Sequence, residues 1–321
     1  KQGTQRAKAL ARVAHTQCER FIELTGTPSP NGLADLWGQI WFLDKGHRLG
    51  RTYDDFKKRW FEKPYDGFSV TPRDHAQDQI QRALADICLS INAKDWFDLQ
   101  EPIVNNIYVD LPAAARAKYE DMEKRMFMEL SGHEVEAVGA AARTLKCLQI
   151  ANGAAYVGEG NTEWIDLHDV KLQALEEVVE EAAGMPVLVA YHFKSDKARL
   201  LAAYGKDAIA LDSTEGLRRA QRGEGKVWLG HPASMGHGVD GLQEHSNIMC
   251  FFGHWWNLEE RLQIIERVGP TRQMQSGKDR PMFIHNIIAR GTVDEGVIER
   301  VNTKRAVQDI LLEAMKRKGF K

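Results

Sequence analysis

Three short stretches hold residues whose types and spacing could do chemistry. Gly236–Gly241, read GHGVDG, has the G-x-G-x-x-G spacing of a dinucleotide-binding loop. Such a loop follows a strand and opens a helix, because the helix N-terminus carries the pyrophosphate. Val227–Gly230 is a candidate strand before it, but only LQEHSN separates Gly241 from the apolar run Ile248–Phe252. A crossover helix needs about ten or more residues. The glycines are therefore expected to shape a loop between strands, and a dinucleotide-dependent oxidoreductase is the disfavoured reading. The second stretch is QIIERVGPTRQ, Gln263–Gln273. Gln263 and Arg267 are four apart and so share a helix face. Gly269 and Pro270 then break the helix, with Arg272 just beyond. Arginines at such a break suit a polyphosphate, since the guanidinium is planar, always charged and bidentate. The plain alternative is a solvated basic helix end. The third is LTGTPSPNG, Leu24–Gly32, which could present hydroxyls and N–H groups to an anion or a neighbouring domain, or could simply turn the chain after an edge strand.

Other near-motifs fail. GEGKV, Gly223–Val227, has Ala220 where a Walker A loop needs its first glycine and Val227 where it needs Ser or Thr. Asp294 and Glu295 follow no apolar strand and make a poor metal-binding motif. His231 and His237 lie near or in the glycine loop without ligand spacing, so no metal site is expected in this chain. FFGHWWN, Phe251–Asn257, could stack on bases, although packing at a lobe edge is the favoured reading.

These residues need elements to hold them. In the first half, a helix fits the region of Ala9 and Val13, a short apolar strand runs into the LTGTPSPNG loop, and helices follow with Leu36, Ile40 and Leu43 on one face. EPIVNNIYVDLP is the best extended segment there. AAARAKYEDMEKRMFMEL and VEAVGAAARTLKCLQIA read as helices. In the second half, a helix with Leu172, Leu175, Val178 and Val179 inward ends near Gly184. Strands at PVLVAY, AIAL, VWLG, IMCFF and MFIHNII then alternate with helices at SDKARLLAAY, EGLRRAQRG and EERLQIIERV, and a charged helix begins near Thr292. That alternation predicts an α/β lobe with a parallel sheet covered on both faces.

The bulk properties narrow the classes. At 321 residues, 43% hydrophobic and 27% charged, the chain can bury real cores in about two domains. A net charge of −2 shows no overall basic balance. Cys18, Cys88, Cys147 and Cys250 form no C-x-x-C pair, which fits a reducing compartment. No run approaches the roughly 20 apolar residues of a membrane span, and no signal peptide is seen. A cytoplasmic protein is the expectation. KQGTQRAKALARV, at the start, reads as cut from something longer.

Taken in order, the pieces resemble the Snf-type helicase-like ATPases of superfamily two. LTGTPSPNGLADLW is similar to that family's third motif, VLVAYHFKSDKARL to the fourth, and HPASMGHGVDGLQEHSNIMCFFGHWWNLE to the fifth with its following strand and Trp-Asn. ERLQIIERVGPTRQ is similar to the sixth, and EPIVNNIYVDLPAAARAKYEDME to the link between two RecA-like lobes. The likeness runs from Leu24 to about Gly296 and lacks a Walker A loop and a D-E-x-H motif. It implies a C-terminal portion: residues 1–110 as the end of a first lobe with a helical insertion, 111–168 as a helical link, and 169–321 as a second RecA-like lobe. It implies an ATP-dependent motor on DNA, with duplex as the expected form and with ATP and magnesium held mainly by a first lobe. Arg267 and Arg272 would be arginine fingers, although they stand five apart where the family spaces its pair three apart. Gln263, Gly238 and Asp240 would face the nucleotide, and Thr25, Ser195 and Ser234 would touch DNA phosphates. The fragment alone is not expected to hydrolyse ATP. A non-catalytic nucleic-acid-binding or interaction module on the same fold is the alternative.

Overall fold

The strands expected in the second half all join one sheet, and every neighbouring pair in it runs parallel. The computed structural model describes residues 5–25, 28–29, 32–62, 71–89, 98–131, 137–157, 163–235, 239–278 and 280–303. The chain divides into two compact units, residues 1–95 with 257–259 and 301–321, and residues 96–256 with 260–300.

The first unit is mainly helical. It contains α1 (Gln5–Ala14), α2 (Leu36–Asp44), α3 (Tyr53–Trp60), the short antiparallel pair β1 (Phe61–Glu62) and β2 (Thr71–Pro72), and α4 (Ala76–Leu84). Trp37, Ile40, Phe56, Trp60, Ile80 and Leu84 form its core. Thr52 caps α3: its hydroxyl accepts from Asp55 N, and Asp55 accepts in turn from Thr52 N. The strand expected before the LTGTPSPNG loop does not form. Residues 21–25 have no regular structure, and Ile22 and Leu24 are 80% and 93% exposed. A strand needs a neighbouring strand to bond with, and among the described residues no strand pairs with this segment.

The second unit carries β3 (Ile103–Val109), α5 (Ala113–Ser131), α6 (Ala137–Asn152), β4 (Ala154–Val157), β5 (Glu163–Asp166), α7 (Val170–Glu181), β6 (Val187–Ala190), α8 (Lys194–Tyr204), β7 (Ala208–Ala210), α9 (Thr214–Gln221), β8 (Val227–Gly230), β9 (Ile248–Phe251), α10 (Leu258–Ile265), α11 (Pro270–Gln275) and β10 (Phe283–Ala289). A last helix begins at residue 293. The sheet order is β3-β10-β9-β6-β8-β7. β3 pairs with β10 over its whole length, so residues 103–109 lie with this sheet as an edge strand. The hairpin β4–β5 went unread although Gly158, Gly160 and Asn161 stand between its strands, because each strand is only four residues long. Tyr156 and Trp164 face each other across it, edge to face at 5.8 Å.

Period-two alternation explains the two cores. Leu188 and Ala190 of β6 point to one face, with Trp228, Met249, Phe251 and Ile284. Val187 and Val189 point to the other, with Leu229, Cys250 and Ile287, where Leu175 and Val178 of α7 cover them. Leu172 and Val179 pack against the same face, as their helical spacing predicts.

Candidate functional site

β8 ends at Gly230, and the chain leaves the sheet at the C-terminal edge of its strands, the edge where open parallel sheets bind ligands. The next segment is a loop with short 3₁₀ turns at Pro232–Ser234 and Leu242–Glu244, and no crossover helix lies among its described residues. Val239 and Leu242 are buried in the sheet's core on either side of Asp240, which leaves the Asp240 side chain standing out to solvent. Gly241, at φ +85°, makes the bend that this arrangement needs.

The arginines come to this loop. α10 ends at Ile265, three residues short of the expectation, and Arg267 lies in the tight turn beyond it. Pro270 cannot donate to a helix ladder and disfavours helical backbone at Gly269, so no helix continues through this point. Gly269 takes an extended conformation and Pro270 starts α11. Arg267 therefore does not share a continuous helix face with Gln263. Its Nη1 donates to the Val239 carbonyl at 2.9 Å. Arg272, just beyond the Gly269-Pro270 break as expected, sits inside α11, and its Nη1 donates to Asp240 Oδ1. The same oxygen accepts from Gly241 N at 2.9 Å and Gln243 Nε2 at 3.2 Å. Gln221 of α9 donates to the Asp240 carbonyl at 2.8 Å.

The charges feel one another. Burial, and then the Arg272 charge, lower the Arg267 pKa, with Asp240 and Glu266 opposing. Asp240 is held below the usual carboxylate range, chiefly by the Gly241 N–H, with Arg272, Gln243 and Arg267 adding to it.

The structure thus brings together Arg267, Arg272 and Asp240. Gln263 is half-buried on α10. Gly238 lies outside the described residues. Ser234 is exposed and its hydroxyl donates to the His231 carbonyl at 2.8 Å. Ser195 is a correction: it is 1% exposed, in the first turn of α8, with its N–H donated to the Tyr156 hydroxyl at 3.0 Å. Its hydroxyl is sealed from any phosphate in this conformation. Thr25 is exposed in the first unit. Phe251, Phe252 and Trp255 are buried, which bears out packing over base stacking for FFGHWWN.

Two sets of residues escaped the sequence reading. Gln273 is buried, donating to the Ser246 carbonyl at 2.7 Å and accepting from Arg280, which in turn donates to the Gln243 carbonyl. It fastens the far end of the loop, and a glutamine among polar neighbours gives no signal of this. The second set is a buried polar network. Lys171 Nζ donates to Asp294 Oδ2 at 2.6 Å, Asn152 Oδ1 at 2.8 Å and the Phe252 carbonyl at 3.2 Å, and both ends of the ion pair are fully buried. Asn152 Nδ2 donates to Asp196 Oδ2 at 3.0 Å, an oxygen that also accepts from His192 N and Phe193 N. Arg199 donates to the Asn152 and His168 carbonyls and to Asp169. Burial raises Asp294 less than the Lys171 ammonium and its other partners lower it, so it stays below its ordinary value. Asp294, a poor metal ligand by its sequence context, is the counter-ion of Lys171. Among the described residues no group of three or more His, Cys, Asp or Glu could hold a metal ion.

No protein-family model matches the chain. Protein p41 of Acyrthosiphon pisum secondary endosymbiont phage 1 is 53% identical over 322 residues, covering 99% of this chain and 70% of its own length. The chain belongs to the same family as this phage protein. The ATP-dependent helicase/translocase YwqA of Bacillus subtilis (strain 168) is 23% identical over 339 residues, which cover 94% of this chain and 34% of that one. Among solved structures, the Sulfolobus solfataricus SWI2/SNF2 ATPase core in complex with dsDNA aligns with 90% of the chain at 22% identity, with a TM-score of 0.49 and 62% of its own length covered. The chain resembles the C-terminal portion of Snf-type helicase-like ATPases, as the order of its motifs indicates, and its parallel α/β sheet is the expected fold. It spans about a third of the Bacillus protein's length. No helix of the described residues is long and apolar enough to cross a membrane.

Proposed function

We propose that this chain is the second-lobe part of an ATP-driven DNA translocase. The observation that carries the reading is the convergence of Arg267 and Arg272 on the loop at Val239 and Asp240. Two guanidiniums at the C-terminal edge of a parallel sheet suit the terminal phosphate of a nucleotide held from the opposite side. ATP, when bound, would supply the energy of phosphoryl transfer. Arg267 and Arg272 would meet the negative charge developing on the transferred group, with Gln263 and the glycine loop at Gly238 beside them. The ATP phosphates and magnesium belong, in this reading, to a first lobe of the whole protein. Ser234 and Thr25 would contact duplex DNA through its phosphates, which positions without reading sequence. The division into residues 1–110, 111–168 and 169–321 is part of the same proposal, with β3 lending its edge strand to the last. So is a place in the cytoplasm of a bacterial or phage-infected cell.

The test uses the whole phage-type protein. Arg267→Ala should lower kcat of DNA-stimulated ATP hydrolysis by roughly 10³ or more while DNA affinity stays within a few-fold. Lysine should not rescue it, because a point charge lacks the planar fork. Unchanged turnover would refute the reading of Arg267, and no DNA-stimulated turnover by the whole protein would favour a non-catalytic nucleic-acid-binding module.

A further inference from the structure

The loop's own carboxylate occupies the guanidinium that the proposed function assigns to phosphate. Arg272 Nη1 donates to Asp240 Oδ1, an oxygen already taking the Gly241 N–H and the Gln243 amide. The Asp240 backbone is held beside Arg272, because Val239 and Leu242 are buried on both sides and Gln221 donates to its carbonyl. The Asp240 side chain is 70% exposed and that of Arg272 25%, so a solvent-borne anion can reach the pair. Arg267, pinned to the Val239 carbonyl, stands close enough for its charge and that of Arg272 to oppose each other. The trio carries one net positive charge with Asp240 present and two without it.

We propose that Asp240 is an internal counter-ion that latches Arg272 to the glycine loop until a phosphate group displaces it. This rests on the reading of Arg267 and Arg272 as phosphate-facing, and it changes the expectation for Asp240 from a nucleotide ligand to a competitor of one. An ion pair this exposed is weak, so the latch is easily opened by a doubly charged anion. Its effect is to keep Arg272 ordered and neutralised between encounters. It also makes the anion affinity of the site lower than the same two arginines would give with no carboxylate beside them.

The experiment is a titration of the 321-residue chain with inorganic pyrophosphate, read by the side-chain Nε–H signals of ¹⁵N-labelled arginine. Asp240→Asn keeps the acceptor for Gly241 N and removes only the charge. It should bind pyrophosphate about fivefold more tightly than the wild-type chain, near the ceiling that a half-exposed ion pair allows. The gain should shrink at high salt, where such pairs are screened. It should vanish in Asp240→Asn/Arg272→Ala. Equal or weaker binding by Asp240→Asn overturns the latch, as does an absence of binding by both proteins at millimolar pyrophosphate. If Asp240→Asn binds but Arg267→Ala and Arg272→Ala each leave wild-type affinity untouched, the phosphate-facing reading itself fails. Backbone amide shifts around Gln273 serve as the control that the loop is still folded.

Discussion

Replacing Lys171 with methionine should cost the second unit about 3–5 kcal/mol. Methionine fills the space of the lysine stem with an unbranched apolar chain, so little cavity is created. What is lost is the ammonium. Asp294, fully buried, would keep only the Ala289 N–H at 3.0 Å on Oδ2, and its Oδ1 already lacks a partner among the described residues. The Asn152 amide oxygen and the Phe252 carbonyl would also lose the donor they share. An uncompensated buried carboxylate accounts for most of the expected loss, and a total stability of roughly 5–15 kcal/mol leaves little margin for it. Lys171→Met/Asp294→Asn removes both charges and should recover at least about 2 kcal/mol of the loss, which a double-mutant cycle would record as coupling. Because the chain has two compact units, a single bulk melting curve would mix them. Hydrogen–deuterium exchange of peptides covering β6 and β9 reads the second unit directly, since its slowest amides open with the global free energy. A single substitution that accelerates this exchange by less than about fivefold, or a double variant less stable than the single one, would refute the reasoning.

Acid should destabilise the second unit. Burial holds His254 down to about 3 and His192 to about 4, and it lowers His168 in the same direction, so these rings stay neutral in the fold while the unfolded chain protonates near 6.5. Their contribution is present above 6.5 and is lost as pH falls toward the folded values. Asp196, pushed up to about 6 by burial, works the other way, its contribution fading as pH rises from 3.8 through 6. The balance is a loss of about 2 kcal/mol or more between about pH 7 and about pH 5; protection factors of the β6 and β9 amides that are flat or higher at the acid end would contradict it. Gly153→Ala should destabilise by about 2 kcal/mol or more, because Gly153 has φ +102° and a Cβ there would lie 2.2 Å from the His168 carbonyl oxygen and 2.6 Å from Arg199 Nη2; unchanged exchange of the β6 and β9 peptides would show that the network yields. Tyr156→Phe should cost about 1–2 kcal/mol by leaving the buried Ser195 N–H without its acceptor, measurable as faster exchange in the first turn of α8. The 321-residue chain alone should show no ATP turnover above background, and turnover abolished by Arg267→Ala would overturn that.

The local patterns were enough to name most elements of the second unit. Val187–Ala190, Val227–Gly230 and Ile248–Phe251 are short apolar runs between helical stretches, and an apolar run flanked by helices has few places to go except a buried parallel sheet. The shortage of residues between Gly241 and Ile248 was enough to reject a dinucleotide cradle. Gly269-Pro270 announced a break, because proline's missing N–H is a local fact. Where the helix before it stops was not local. α10 ends at Ile265 and Arg267 turns back to Val239, a contact between residues 28 apart in the chain. The same holds for Asp240 meeting Arg272, for Lys171 meeting Asp294 across 123 residues, and for the side-chain amide of Asn286 on β10 donating to that of Asn106 on β3. Ser195 shows the limit from the other side: the resemblance implies a hydroxyl facing DNA phosphates, and the hairpin β4–β5 meets this residue through the Tyr156 hydroxyl. Periodicity reports which face of an element is apolar. Which charges share a buried space depends on how those faces stack, and that is decided only when the sheet, the loop and the helices close on one another.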